Sequence, residues 1–158
     1  MKIVFSLIIL LSVLAVNEGQ ARAAPYSTIG AGCVPDDNSI QGNRYDTGGH
    51  GLFAKYNKTA RFICNIPDPS SIYGYFYMYY GNTVPSGKVT VKLKSSLFGS
   101  TLTTTHSTCT SSTSVGYTVK NCFMYSSPSS SRHYWFEVTI ARTNGTTANP
   151  EFLGVRYN

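Results

Sequence analysis

Lys88-Val89-Thr90-Val91-Lys92-Leu93-Lys94-Ser95-Ser96-Leu97 sets Val89, Val91 and Leu93 against Lys88, Thr90, Lys92 and Lys94 in strict alternation. Successive side chains of a β-strand point to opposite faces, so the stretch predicts a strand with one face on a core and one in water. Pro85-Ser86-Gly87 before it and Gly99-Ser100 after it are turn-formers. The lysines suit the charged face or protective edge of a strand.

The same punctuation recurs along the chain. Runs rich in Tyr, Thr, Val, Ile and Phe are broken at short intervals by Gly, Pro, Asn and Ser. The spacing predicts about eight strands, among them 60–66, 72–80, 101–106, 115–125, 133–142 and 151–157. Beyond the N-terminal segment no window shows apolar positions at helical spacing. An all-β antiparallel sandwich is therefore expected, jelly-roll or immunoglobulin-like. The last two strands are expected to form a hairpin with Val138 opposite Val155. That register keeps Tyr134, Phe136, Val138 and Ile140 on the same face as Leu153, Val155 and Tyr157, and sets Glu137 opposite Arg156.

At the N-terminus, Lys2 precedes the apolar run Ile3–Val16, and Ala21-Arg22-Ala23 follows a polar stretch. The run is short for a membrane span and ends at a small-residue cleavage pattern, so residues 1–23 are expected to be a secretory signal peptide and residues 24–158 a single domain. The expected location is extracellular, or the periplasm of a bacterium, with no stable membrane span and no nucleic-acid partner. The net charge of +6 suits solubility, and favours anionic partners only weakly.

Cys33, Cys64, Cys109 and Cys122 are an even set in a chain read as secreted, which argues for two disulfides. Three connectivities are open, and the sequential one, Cys33–Cys64 with Cys109–Cys122, is favoured. No pair has the close spacing of a structural zinc site.

Candidate chemistry is sparse. His50, His106 and His133 fall at turns or strand ends, outside any hydrolase or metalloprotease motif. Asp36, Asp37, Asp46, Asp68, Glu137 and Glu151 show no spacing that pairs two carboxylates. Pro35-Asp36-Asp37-Asn38-Ser39 lacks the ordered ligands of a calcium loop and reads as an Asx-turn. The expectation is a protein that is not an enzyme and holds no metal or cofactor. Asn57-Lys58-Thr59 and Asn144-Gly145-Thr146 are glycan acceptors only in a host that glycosylates secreted proteins.

Aromatics stand above background, with twelve Tyr and one Trp. In Ile72-Tyr73-Gly74-Tyr75-Phe76-Tyr77-Met78-Tyr79-Tyr80 the residues Tyr73, Tyr75, Tyr77 and Tyr79 share one strand face. The ordinary reading is a central strand covered on both sides. The functional reading is a tyrosine ladder on an open face, able to stack on sugar rings. Trp135 is expected to face outward with His133 and Glu137 as polar neighbours, a second candidate platform.

Cys33-Val34-Pro35 with Ile40-Gln41, then Arg61-Phe62-Ile63-Cys64, and finally Asn149-Pro150-Glu151-Phe152-Leu153-Gly154-Val155 resemble a loose group of uncharacterised small secreted proteins, mostly bacterial. In that group a Pro commonly follows the second Cys, and here Ile66-Pro67 stands one residue displaced. The resemblance implies a compact secreted β domain with the first two cysteines paired, and implies no activity. The leading expectation is a non-catalytic extracellular binding or adhesion module for glycans or cell surfaces, using exposed Tyr and Trp. The alternative is a membrane-active or host-defence β-rich lipid-binding protein. A third is a hydrolase without a recognisable motif, which would need a cleft joining a His and an acid.

Overall fold

A computed structural model describes residues 26–29, 32–42, 44–47, 51–66, 74–124, 128–143 and 149–157. The expected leader at 1–23, His50, Asp68, Tyr73 and the Asn144-Gly145-Thr146 acceptor lie outside the described residues. The described chain forms eleven strands and one short helix: β1 (Tyr26–Ile29), β2 (Val34–Pro35), α1 (Asp37–Gln41), β3 (Tyr45–Thr47), β4 (Leu52–Ala54), β5 (Lys58–Asn65), β6 (Tyr75–Thr83), β7 (Gly87–Leu97), β8 (Thr103–Thr110), β9 (Ser114–Phe123), β10 (Arg132–Arg142) and β11 (Glu151–Tyr157). The prediction of about eight strands missed β1 and β2, which are too short to show an alternation. It also missed α1, where Asp36 acts as the N-cap: its Oδ1 accepts from the Ser39 N–H at 2.8 Å.

Two antiparallel sheets face each other. One runs β3-β4-β11-β6-β9, with β1 also paired to β11; the other runs β2-β5-β10-β7-β8. From β4 to β11 the chain changes sheet at every connection except the β7–β8 hairpin. The inner orders β4-β11-β6-β9 and β5-β10-β7-β8 are those of two interlocked Greek keys, a jelly roll. Of the two sandwich types expected, this is the one formed.

The β10–β11 hairpin does not form. β10 pairs with β5 and β7, while β11 pairs with β6, β4 and β1. The predicted side chains of β10 turn inward, as do Val155 and Tyr157 of β11, but a bulge at Leu153 leaves that residue half-buried and puts Phe152 in the core in its place. The two strands meet across the core, with the Phe136 and Tyr157 rings 5.7 Å apart. Alternation fixes which face of a strand is buried and is silent on whether its apolar partner sits beside it or opposite it. Glu137 accordingly lies opposite Ile63 and Lys92, and Arg156 opposite Tyr77.

The core is the meeting of the two inner faces. Phe76, Met78, Phe152 and Tyr157 of one sheet pack on Phe62, Val91, Phe136 and Val138 of the other, all buried, with Phe76 and Phe136 rings 5.1 Å apart. Disulfides Cys33–Cys64 and Cys109–Cys122 close the sequential pairing. The second links β8 to β9 and so ties the two sheets together along one edge. Among the described residues no helix is long and apolar enough to cross a membrane.

Candidate functional site

The parity of β6 decides the tyrosine question. Phe76, Met78 and Tyr80 are buried in the core, so Tyr75, Tyr77 and Tyr79 stand on the outer face. Tyr75 is exposed and the other two are half-buried, because β9 and β11 flank β6 on both sides. β6 is thus a central strand, but its tyrosine face is open, against the ordinary reading of a strand covered on both sides.

β9 extends this face. Tyr75 lies opposite Phe123, Tyr77 opposite Asn121, Tyr79 opposite Val119 and Gly81 opposite Tyr117. The Tyr75 and Phe123 rings meet edge to face with centroids 5.1 Å apart. Tyr117 is 66% exposed and lies over Gly81: a Cβ on Gly81 would come within 2.6 Å of the Tyr117 ring. On the other flank Arg156 stands beside Tyr77, and Gly154, with no side chain, leaves room beside Tyr79. The result is a shelf of rings and aliphatic groups with polar hydroxyls, Asn121 and Arg156 among them.

Tyr117, Val119 and Phe123 were not singled out from sequence. The signal was available: a disulfide from Cys122 into the core requires even-numbered residues of β9 to point inward, which sends Val115, Tyr117, Val119 and Phe123 outward. An apolar alternation is ordinarily taken as the core face, and here the cysteine reverses it.

Trp135 does face outward, but on the other sheet. It lies opposite Asn65 and Lys94, and the His133 ring stacks on it at 5.8 Å with 25° between planes. The tyrosine face and Trp135 are therefore on opposite sides of the sandwich, and the candidate residues divide into two groups. Glu137 is only 7% exposed although it is on the outer side, and its Oε2 accepts from Lys94 Nζ at 2.8 Å. Glu137 and Lys94 are committed to each other, which leaves His133 and Asn65 as the polar neighbours of Trp135.

His106 is the closest approach to catalytic geometry. A bulge in the β7–β8 ladder passes from Leu93↔Ser107 to Lys94↔Thr105, leaving His106 as the extra residue. Its Nε2 is 2.7 Å from Ser95 Oγ, and Arg132 Nη1 donates to that same oxygen at 3.0 Å. Ser95 Oγ accepts from Arg132 and keeps one proton and one lone pair, so it donates to Nε2 or accepts from it according to the imidazole tautomer. Burial, and then the Arg132 charge, hold the His106 pKa below its ordinary 6.5, in accord with a neutral ring. Ser95 is fully buried, which closes it to a substrate, so the pair works as a core hydrogen bond. His106 is thus half-buried within β8, in place of the solvated strand end expected for it.

Fold and surface together define a two-disulfide jelly-roll domain with an outward aromatic sheet face. No protein-family model, curated protein or solved structure matches the chain.

Proposed function

We propose that the protein is a secreted, non-catalytic binding module that holds glycans of extracellular or cell-surface origin on the outer face of the β9-β6-β11 sheet. One observation carries the reading: Tyr75, Tyr77, Tyr79 and Tyr117 stand outward on adjacent strands, beside Val119 and Phe123. Phenol rings fixed in a sheet offer apolar area with little rotamer freedom to lose and a hydroxyl at the tip, which suits a sugar ring with one apolar face and a polar rim. Jelly rolls include lectin domains, but the fold hosts many functions, so the site carries the argument. Two disulfides accord with an oxidising, extracellular setting.

Pull-down on insoluble polysaccharides and glycan arrays test this. Tyr79→Ala and Tyr117→Ala are each expected to weaken binding about tenfold, at the upper end for one aromatic contact. Trp135→Ala, on the opposite sheet, is expected to leave it unchanged. Full binding by the Tyr79→Ala/Tyr117→Ala double variant rejects this face as the site.

A second reading, association with lipid surfaces, rests on the β7–β8 tip. Leu97, Phe98 and Leu102 project there, the last two 69% and 81% exposed. The tip is held by hydrogen bonds from the Ser100 N–H to Leu97 O and from the Leu102 N–H to Ser100 Oγ. Phe98→Ser should then abolish co-sedimentation with liposomes at low salt; absence of co-sedimentation by the unmodified protein removes this reading.

A further inference from the structure

At the corner where β4 of one sheet passes into β5 of the other, a cleft of about 610 Å³ is lined by Asp46, Lys55, Tyr56, Lys58, Arg142 and Asn149, among others. Its construction is local. Lys55 to Lys58 form a tight turn closed by the Lys58 N–H donating to Lys55 O at 3.0 Å, with Asn57 at φ 55°. The turn sets Lys55 and Lys58 at its two ends and leaves Tyr56 exposed between them. β10 then brings Arg142 directly opposite Lys58 in the ladder.

Like charges directly opposite one another on a sheet oppose folding. Here Arg142 and Lys58 have no ion pair with any carboxylate among the described residues. The one acid among the described residues that line the cleft, Asp46, accepts its own neighbour's Thr47 N–H at 2.8 Å. The Arg142 guanidinium lies over the Tyr56 ring, 5.2 Å from its centroid, and its buried Nε finds no acceptor among the described residues. A ring face thus fixes the orientation of a planar cation whose fork is suited to a carboxylate or sulfate. Arg142 and Lys58, facing each other in the ladder beside a concave site, are a cost to the empty protein that a bound anion removes.

The cleft also continues the tyrosine face. Asp46, Phe53, Glu151, Gly81 and Tyr117 form one register row across β3, β4, β11, β6 and β9. From β6 to β4 is two inter-strand steps, about 10 Å. We infer that the cleft binds the carboxylate or sulfate of an acidic glycan whose neighbouring units lie on the tyrosine face. This inference rests on the reading of that face as a glycan platform.

Calorimetric titration of the purified protein with a neutral and a sulfated oligosaccharide of equal length and linkage separates the two claims. The sulfated ligand is expected to bind about tenfold more tightly, a preference supplied by charge-assisted hydrogen bonds. The preference should shrink as salt is raised. Lys58→Gln, at an exposed position, and Lys58→Gln/Arg142→Gln should remove it while leaving affinity for the neutral ligand intact. Equal binding of the two ligands, or a preference that survives Lys58→Gln, overturns the cleft and leaves the tyrosine platform standing. Failure of both ligands to bind overturns both. Inorganic sulfate binding as tightly as the sulfated oligosaccharide, or a single-stranded oligonucleotide outcompeting it, also overturns the assignment to an acidic glycan.

Discussion

Gly81 shows how one residue sets the shape of the surface. Its missing Cβ is what lets the Tyr117 ring come close over β6, since a methyl group there would stand 2.6 Å from the ring. Tyr117 is largely exposed and can swing away, and the smaller unfolded-state freedom of Ala offsets part of any crowding. Gly81→Ala is therefore expected to change stability by less than about 1 kcal/mol in urea unfolding. Glycan affinity should nevertheless fall to the level of Tyr117→Ala; unchanged affinity would take Tyr117 out of the site. His106 gives a second prediction at this scale. Its folded pKa is lowered by burial and by Arg132, so below pH 6.5 the unfolded chain takes up a proton before the folded one does. The contribution to stability is complete above pH 6.5 and is lost as the pH falls from 6.5 through the lower folded pKa. Urea unfolding at pH 7.5 and pH 5 should show a smaller difference in His106→Gln than in the unmodified protein. An equal difference means His106 is not a source of acid sensitivity.

At the scale of strands, the parity of each element was legible and its neighbours were not. The alternation of Val89, Val91 and Leu93, and that of Tyr134, Phe136, Val138 and Ile140, named the buried residues correctly. It did so because burial acts on each strand separately. Pairing depends on the path of the connections, and β10 and β11 show the consequence: their inward residues meet across the core while each strand pairs elsewhere. That Tyr75, Tyr77 and Tyr79 share one face of β6 was legible for the same reason as the core, but which face points outward was not, because Phe76, Met78 and Tyr80 make the other face apolar too. The β9 half of the shelf was hidden, because its apolar residues are the exposed ones and only Cys122 reveals the inversion. The two disulfides join these elements differently. Cys109–Cys122 spans 13 residues and Cys33–Cys64 spans 31. If each acts through loop closure in the unfolded chain, replacing the pair by serines should cost roughly 3 kcal/mol for the shorter loop and roughly 4 for the longer. Urea unfolding of the two double variants checks the order. The reverse order would show that Cys109–Cys122 supports the β8–β9 edge in the folded state beyond its effect on the unfolded chain.

For the whole molecule, the jelly roll turns a list of aromatic residues into two surfaces that cannot act on one ligand together. The outer face of the β9-β6-β11 sheet carries tyrosines and leads to the basic cleft at β4. The outer face of the opposite sheet carries Trp135 with His133, and Lys94 with Glu137. Roughly 10 Å of packed side chains separate two such sheets, so a ligand seated on one face leaves the other in solvent. The single tryptophan makes that orientation measurable, because its fluorescence reports one position only. Trp135 is half-buried on its open side, and a soluble quencher such as acrylamide should reach it equally well with the protein in solution or held on a polysaccharide. Tyrosines of the bound face should at the same time be protected from nitration. If binding instead shields Trp135 from the quencher and leaves the tyrosines reactive, the ligand sits on the β5-β10-β7 sheet. Trp135 with His133 would then be the platform, and the cleft at Arg142 would have to be approached from that side.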